Sequence, residues 1–192
     1  MRHTGRKRGQ ANLVRIIGGS HRGRRLRFPD LPGLRPTSDR VRETLFNWLQ
    51  TRLPGAACLD LFAGSGALGL ESASRGAGRV VMLDRSPEVV SQIRSNIELL
   101  GLEAVRVEQA ESLDWLGRQP ARPFDIVFVD PPFADDLVAT CCQRLQAGGW
   151  LKPGAWVYLE TDRATALPEL PPNWRQRKEQ RAGQVAFYLF SV

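Results

Sequence analysis

No stretch of this 192-residue chain stays apolar for the roughly 18 residues that a membrane-crossing helix requires. The basic N-terminus also lacks the apolar core of a signal peptide, so the chain is expected to stay in the cytoplasm and away from membranes. Cysteine is scarce. Cys58, Cys141 and Cys142 are three in number and lack C-x-x-C spacing, which argues against a disulfide framework or a zinc site. Histidine is scarcer: His3 and His21 both lie in the N-terminal region, and no cluster with metal-ligand spacing is visible, so no metal is expected. Repeats and low-complexity segments are absent. The remainder is ordinary, with 42% hydrophobic and 24% charged residues, enough for one domain with a full core.

Charge is unevenly spread. Residues 1–42 hold twelve Arg/Lys and two Asp, a surplus of +10, while the whole chain carries +7. The other 150 residues therefore total −3. Basicity laid over a mildly acidic body favours a polyanion partner, most simply nucleic acid. A solubilising charge run is the plainer reading.

Residues 1–12 have no apolar periodicity and are expected to form a disordered basic tail. Strands over 13–17 and 22–28, joined by Gly18-Gly19-Ser20, predict a hairpin with an arginine-rich face, followed by a Pro/Gly-rich linker to residue 36. Arginine there suits bidentate phosphate contacts. Ser38 or Asp39 caps a helix over 39–52, with Val41, Leu45, Trp48 and Leu49 on its apolar stripe. Strands at 57–62, 79–84, 104–108, 124–130 and 155–160 then alternate with helices at 66–75, 86–99, 112–118 and 135–146. This rhythm predicts a parallel sheet with helices on both faces. Strands at 175–180 and 184–190, turning at Ala182-Gly183, add an antiparallel hairpin.

Residues 57–66, Ala-Cys-Leu-Asp-Leu-Phe-Ala-Gly-Ser-Gly, read as strand, tight turn and helix start. Glycines there admit positive φ and a close ligand, and the helix N-terminus offers free N–H groups. Gly64, Gly66 and Gly69 match G-x-G-x-x-G, which keeps a dinucleotide site in play. Asp60 opposes that reading, because a carboxylate at the turn repels pyrophosphate but suits an ammonium or sulfonium. Val80-Val81-Met82-Leu83-Asp84 ends in an acid placed for ribose hydroxyls.

The strand Asp125 to Asp130 delivers a third acid, followed by Pro131-Pro132-Phe133. Two prolines are stiff and donate no main-chain hydrogen bonds, while their carbonyls still accept. Asp130 and a proline carbonyl can take both hydrogens of an exocyclic amine, with Phe133 stacked on the ring. The plainer alternative is a strand that stops at a proline turn with Phe133 in the core.

Asp130-Pro131-Pro132-Phe133 resembles the motif of amino-group N-methyltransferases, and Asp60 to Gly66 the cofactor turn of the S-adenosylmethionine-dependent class. Arg15 to Gly19, Arg22-Gly23-Arg24, Leu34 to Leu49 and Ala182 to Ala186 extend the likeness over most of the chain. Together they resemble the bacterial small-subunit (16S) ribosomal RNA guanine-N2 methyltransferase family. The resemblance implies a Rossmann-like class I methyltransferase with a seven-stranded, mostly parallel α/β sheet over 37–192 and an RNA-binding hairpin and linker over 13–36. It further implies S-adenosyl-L-methionine as cofactor, with Thr37 and Arg40 near its carboxylate end. Asp60, Phe62, Ala63, Gly64 and Gly66 would surround its amino-acid part, Asp84 and Arg85 its ribose, and Gln109 and Ala110 its adenine. Asp130, Pro131, Pro132 and Phe133 would be catalytic. Arg15, Arg22, Arg24, Arg25 and Arg27 would contact 16S ribosomal RNA, presented in an assembled or partly assembled subunit to a monomeric enzyme. Adenine-N6 or glutamine-amide methylation, a dinucleotide oxidoreductase, and a non-catalytic RNA-binding factor are the alternatives.

Overall fold

The computed structural model describes residues 12–119, 122–132 and 137–192. The expected tail over 1–12, residue 12 apart, lies outside the described residues. The first element is a small antiparallel hairpin, β1 (Leu13–Arg15) and β2 (Arg25–Arg27), with a single 3-10 turn at Gly19–His21. Helix α1 (Asp39–Trp48) follows. Then come β3 (Ala57–Asp60), α2 (Ala67–Ser74), β4 (Arg79–Asp84), α3 (Pro87–Leu100), β5 (Val105–Gln109), α4 (Ser112–Leu116), β6 (Phe124–Val129), α5 (Val138–Ala147) and β7 (Leu151–Asp162). The chain ends with β8 (Arg175–Ala182) and β9 (Val185–Ser191).

The large sheet has the order β5-β4-β3-β6-β7-β9-β8. Pairs from β5 to β7 are parallel, and β9 runs antiparallel to both β7 and β8. Central β3 and β6 are buried on both faces, which is why their sequences are near-continuous apolar runs. Alternation divides the core into two layers. Cys58, Ile126, Phe128 and Tyr158 face α1, α2 and α3. Leu59, Val127, Val129 and Leu159 face α4 and α5, where Trp115 and Trp150 stack at 4.3 Å.

Local signals explain the helix limits. Ser86 accepts the Val89 N–H at 3.3 Å, Pro87 begins α3, and Gly101 ends it at φ 63°. Ser38 caps α1 by accepting the Val41 N–H. That helix stops at Trp48, earlier than the predicted 52, because Leu49 to Leu53 turn inward to bury Leu49 and Leu53. β7 is longer than predicted, at 12 residues, since it pairs with β6 on one edge and β9 on the other. β3 ends at Asp60, two residues short of the predicted limit, although Leu61 still donates its N–H to the Phe128 carbonyl at 3.1 Å.

The hairpin is part of this core. Val14, Ile16 and Leu26 are buried in the layer that holds α1 and α2. The Ile17 N–H donates to Glu71 Oε2 at 2.8 Å, and Ser74 Oγ donates to the Gly18 carbonyl at 2.6 Å. A Cβ at Gly19 would lie 1.8 Å from the Ser74 carbonyl oxygen, so only glycine, here at φ 76°, permits this approach. The second hairpin strand is shorter than predicted. Arg22 and Arg24 lie in the connecting loop, because the 3-10 turn and the positive φ at Gly23 occupy the segment assigned to strand.

Candidate active site

From β3 the sheet grows one way through β4 and β5 and the other way through β6 and β7. Ligands of open α/β sheets bind outside the strand C-termini at such a switch point. Asp60 is the last residue of β3, and Asp130 follows the last residue of the adjacent β6.

Asp60 is 1% exposed. Its Oδ2 accepts the Gly69 N–H at 3.0 Å, while Oδ1 is buried with no partner among the described residues. Burial pushes this carboxyl up to about 7, the Gly69 and Phe62 N–H groups hold it down, and the Asp84 charge lifts it further. An orphaned buried carboxylate oxygen is costly, and an ammonium placed against it offsets that cost.

The glycine turn is braced from β4. Gly64 and Gly66 have φ 51° and 80°, and the Gly64 N–H donates to Asp84 Oδ2 at 2.9 Å. Asp84 Oδ1 accepts the Ser86 N–H at 2.9 Å, so this acid ties the turn to the start of α3. Ser112 Oγ donates to the Leu61 carbonyl, a buried brace that the sequence reading missed. Gly69 has a packing role: a Cβ there would lie 2.6 Å from the Met82 sulfur. The Ala110 N–H donates to the Asp84 carbonyl at 3.0 Å, and Gln109 Nε2 donates to the Arg85 carbonyl at 3.4 Å. Ala63, Asp84, Arg85, Gln109 and Ala110 thus gather along the ends of β3, β4 and β5, with Phe62 and Ala110 packed on the α4 side.

Asp130 is half-buried at the mouth of the crevice, and Thr37 Oγ1 donates to its Oδ2 at 3.3 Å. Burial holds its pKa well above the usual carboxylate range, the Glu160 and Asp60 charges push it further, and the Thr37 hydroxyl opposes them. Pro131 is buried and Pro132 exposed beside it. Phe133 lies outside the described residues.

Thr37 therefore sits at the predicted catalytic acid, and Arg40 is exposed on the first turn of α1 with no side-chain hydrogen bond among the described residues. The arginine that holds this segment is Arg42, fully buried. Its Nε donates to the Thr37 carbonyl at 3.1 Å, and its guanidinium pairs with Asp39 at 2.5 Å and Glu71 at 3.4 Å. Arg75 pairs with the other Glu71 oxygen at 2.7 Å. A signal for Arg42 was present, since it shares the i, i+3, i+4 stripe of Leu45 and Phe46.

Arg15, Arg25 and Arg27 point outward from the hairpin while Val14 and Leu26 point in. Arg22 and Arg24 extend the exposed basic surface along the loop. Arg15 is partly neutralised by Asp39 at 2.9 Å. The described residues contain no group of His, Cys, Asp and Glu able to hold a metal ion, and no helix among them is long and apolar enough to cross a membrane. All three cysteines are free and buried.

A seven-stranded sheet of this order, with a glycine turn and acids at the ends of β3, β4 and β6, defines a class I S-adenosylmethionine-dependent methyltransferase. Comparison with known proteins agrees. The family described as Conserved hypothetical protein 95 matches residues 14–191. The ribosomal RNA small subunit methyltransferase D of Escherichia coli strain K12 is 46% identical over 177 residues, covering 92% of this chain and 89% of that protein. The protein of the same name from Haemophilus influenzae is 43% identical over 180 residues, covering 92% and 93%. The solved structure of yhhF from Escherichia coli, described as a methyltransferase, superposes with a TM-score of 0.87 at 42% identity, covering 94% of this chain and 98% of that one. The chain belongs to the ribosomal RNA small subunit methyltransferase D family.

Proposed function

We propose that this enzyme methylates the exocyclic N2 of a guanine in small-subunit (16S) ribosomal RNA. The observation that carries the reading is the pairing of two acids of different surroundings at neighbouring strand ends. Asp60 has a buried oxygen awaiting a cation, and Asp130 is followed by a rigid prolyl carbonyl. The names of the relatives support an RNA substrate, and the exposed arginines of the hairpin supply a phosphate-binding surface beside the site.

In this reading Asp60 holds the ammonium of S-adenosylmethionine against the glycine turn, and Asp84 with Arg85 lies at the ribose. Ala110 and Gln109 border the adenine. When bound, the sulfonium supplies an electrophilic methyl group. Asp130 and the Pro131 carbonyl accept the two amine hydrogens, orient the amine and localise its lone pair toward the methyl. With the methyl donor bound, the amine nitrogen would form the new C–N bond as the methyl–sulfur bond breaks and its electron pair passes to sulfur, leaving a neutral thioether, and the amine's surplus proton would leave through Asp130. Positioning and stabilisation of developing positive charge supply the rate. A guanine within a helix cannot reach this site, so it is already unpaired or flipped.

The small basic surface favours a shaped site, so the substrate is an assembled or partly assembled subunit in the cytoplasm, met by a monomer. The test offers naked 16S RNA, unmodified small-subunit particles and hemimethylated DNA with labelled cofactor, followed by nucleoside analysis. N2-methylguanine from particles is expected. N6-methyladenine, or preference for DNA, removes the assignment and leaves the enzyme class standing.

A further inference from the structure

β6 and β7 run parallel with Phe128 beside Tyr158 and Val129 beside Leu159. One residue further, Asp130 and Glu160 stand abreast on the face that carries Phe128 and Tyr158. Glu160 is 6% exposed, and one of its oxygens accepts the Tyr158 hydroxyl at 2.7 Å. Its other oxygen has no hydrogen-bond donor, and no Lys or Arg pairs with it, among the described residues. A carboxylate at this depth beside Asp130 adds repulsion to the site, which among the described residues only the Tyr158 hydroxyl eases on the Glu160 side.

Glu160 also borders an open cavity with Pro131, Pro132 and Thr161. The Thr161 hydroxyl is buried without a partner among the described residues, a second polar group left for a ligand. Residues 160 and 161 leave opposite faces of β7, so the cavity spans the end of the strand.

We infer that Glu160 reads the target base by accepting its ring N1–H, while Asp130 and the Pro131 carbonyl take the neighbouring amine hydrogens. This rests on the guanine-N2 reading above. Guanine presents two adjacent donors on this edge, the amine and N1–H, whereas adenine and cytosine present an amine beside a ring acceptor. An acceptor facing a ring acceptor is repelled and left unpaired, and sites built on buried hydrogen bonds reject mismatched ligands strongly. Glu160 is therefore a specificity-determining residue that Tyr158 holds in place.

The test uses small-subunit particles rebuilt from ligated RNA with guanine or 2,6-diaminopurine at the position the wild-type enzyme modifies. Diaminopurine keeps the C2 amine but turns N1 into an acceptor. The wild-type enzyme should prefer guanine by at least about tenfold in kcat/KM. Glu160→Gln, whose amide can donate or accept, should bring the two substrates within about threefold while S-adenosylmethionine affinity by calorimetry stays unchanged. Equal wild-type rates on the two substrates overturn the inference, and this arm does not depend on any variant folding. An active Glu160→Gln enzyme with the wild-type preference overturns it too. A wild-type product other than N2-methylguanine removes the guanine reading first, and the inference with it, so the two failures are told apart by the nucleoside formed.

Discussion

Thr37 Oγ1 donates to Asp130 Oδ2 at 3.3 Å across 93 positions of sequence. The contact joins the segment leading out of the basic hairpin to the acid assigned to the target amine. Asp130→Ala should cut methyl transfer by a factor on the order of a hundred or more at saturating RNA, with cofactor affinity retained. Thr37→Val removes one hydrogen bond and should cost roughly three- to tenfold in turnover. Single-turnover kinetics with calorimetry separates the two effects, and near-normal turnover by Asp130→Ala would sink the mechanism.

Asp60 sets a pH dependence. Burial pushes its pKa up to about 7, and an ammonium beside it favours the ionised form. S-adenosylmethionine binding should therefore release protons near neutrality and tighten as pH rises from 6 to 8. The stability effect has the opposite sign: a raised carboxyl favours the folded state below its unfolded pKa of 3.8, and that contribution is lost as pH climbs toward 7. Asp60→Asn should abolish both trends. Calorimetry in buffers of different ionisation heat checks the proton release, and affinity that is flat across this range contradicts the assignment.

Asp84 serves two masters, since both oxygens already accept backbone N–H groups from Gly64 and Ser86. Asp84→Ala should weaken S-adenosylmethionine by about 1.5–3 kcal/mol, through lost hydrogen bonds and a loosened turn together. Normal affinity in that variant would take Asp84 out of the ribose role.

Glu71 and Arg42 form an ion pair with both side chains fully buried. Glu71→Ala should cost about 3–5 kcal/mol in denaturant unfolding, because it removes the buried acceptor shared by Arg42, Arg75 and the Ile17 N–H and leaves Arg42 with only Asp39 and the Thr37 carbonyl. Adding Arg42→Met to it should recover part of that loss. Strict additivity of the two changes would show that they do not act as a unit.

The exposed arginines should make RNA binding salt-dependent. Each real phosphate contact contributes about 0.7–0.9 to the log–log slope. Changing Arg22, Arg24, Arg25 and Arg27 to Gln should flatten that slope, and an unchanged slope would reduce the surface to solvated charge.

Much of this was legible from residue order. Alternating apolar runs and periodic stripes require a parallel sheet with helices on both faces, because the strands must be buried on both sides. Gly64-Ser65-Gly66, Asp84 and Asp130-Pro131-Pro132 announce their places because turn chemistry and strand ends are local properties. Ser86, Pro87 and Gly101 mark the limits of α3 for the same reason. What only the tertiary structure decided is which distant groups meet. The hairpin reads as an appendage, yet Val14, Ile16 and Leu26 complete the main core. Arg42 reads as one more basic residue, yet it is buried and holds Thr37. Glu160 reads as a polar end to a strand, and only the parallel register of β6 and β7 sets it beside Asp130. Sequence periodicity says which face of an element is buried, whereas the partner across that face follows from strand order and register, which local sequence does not encode.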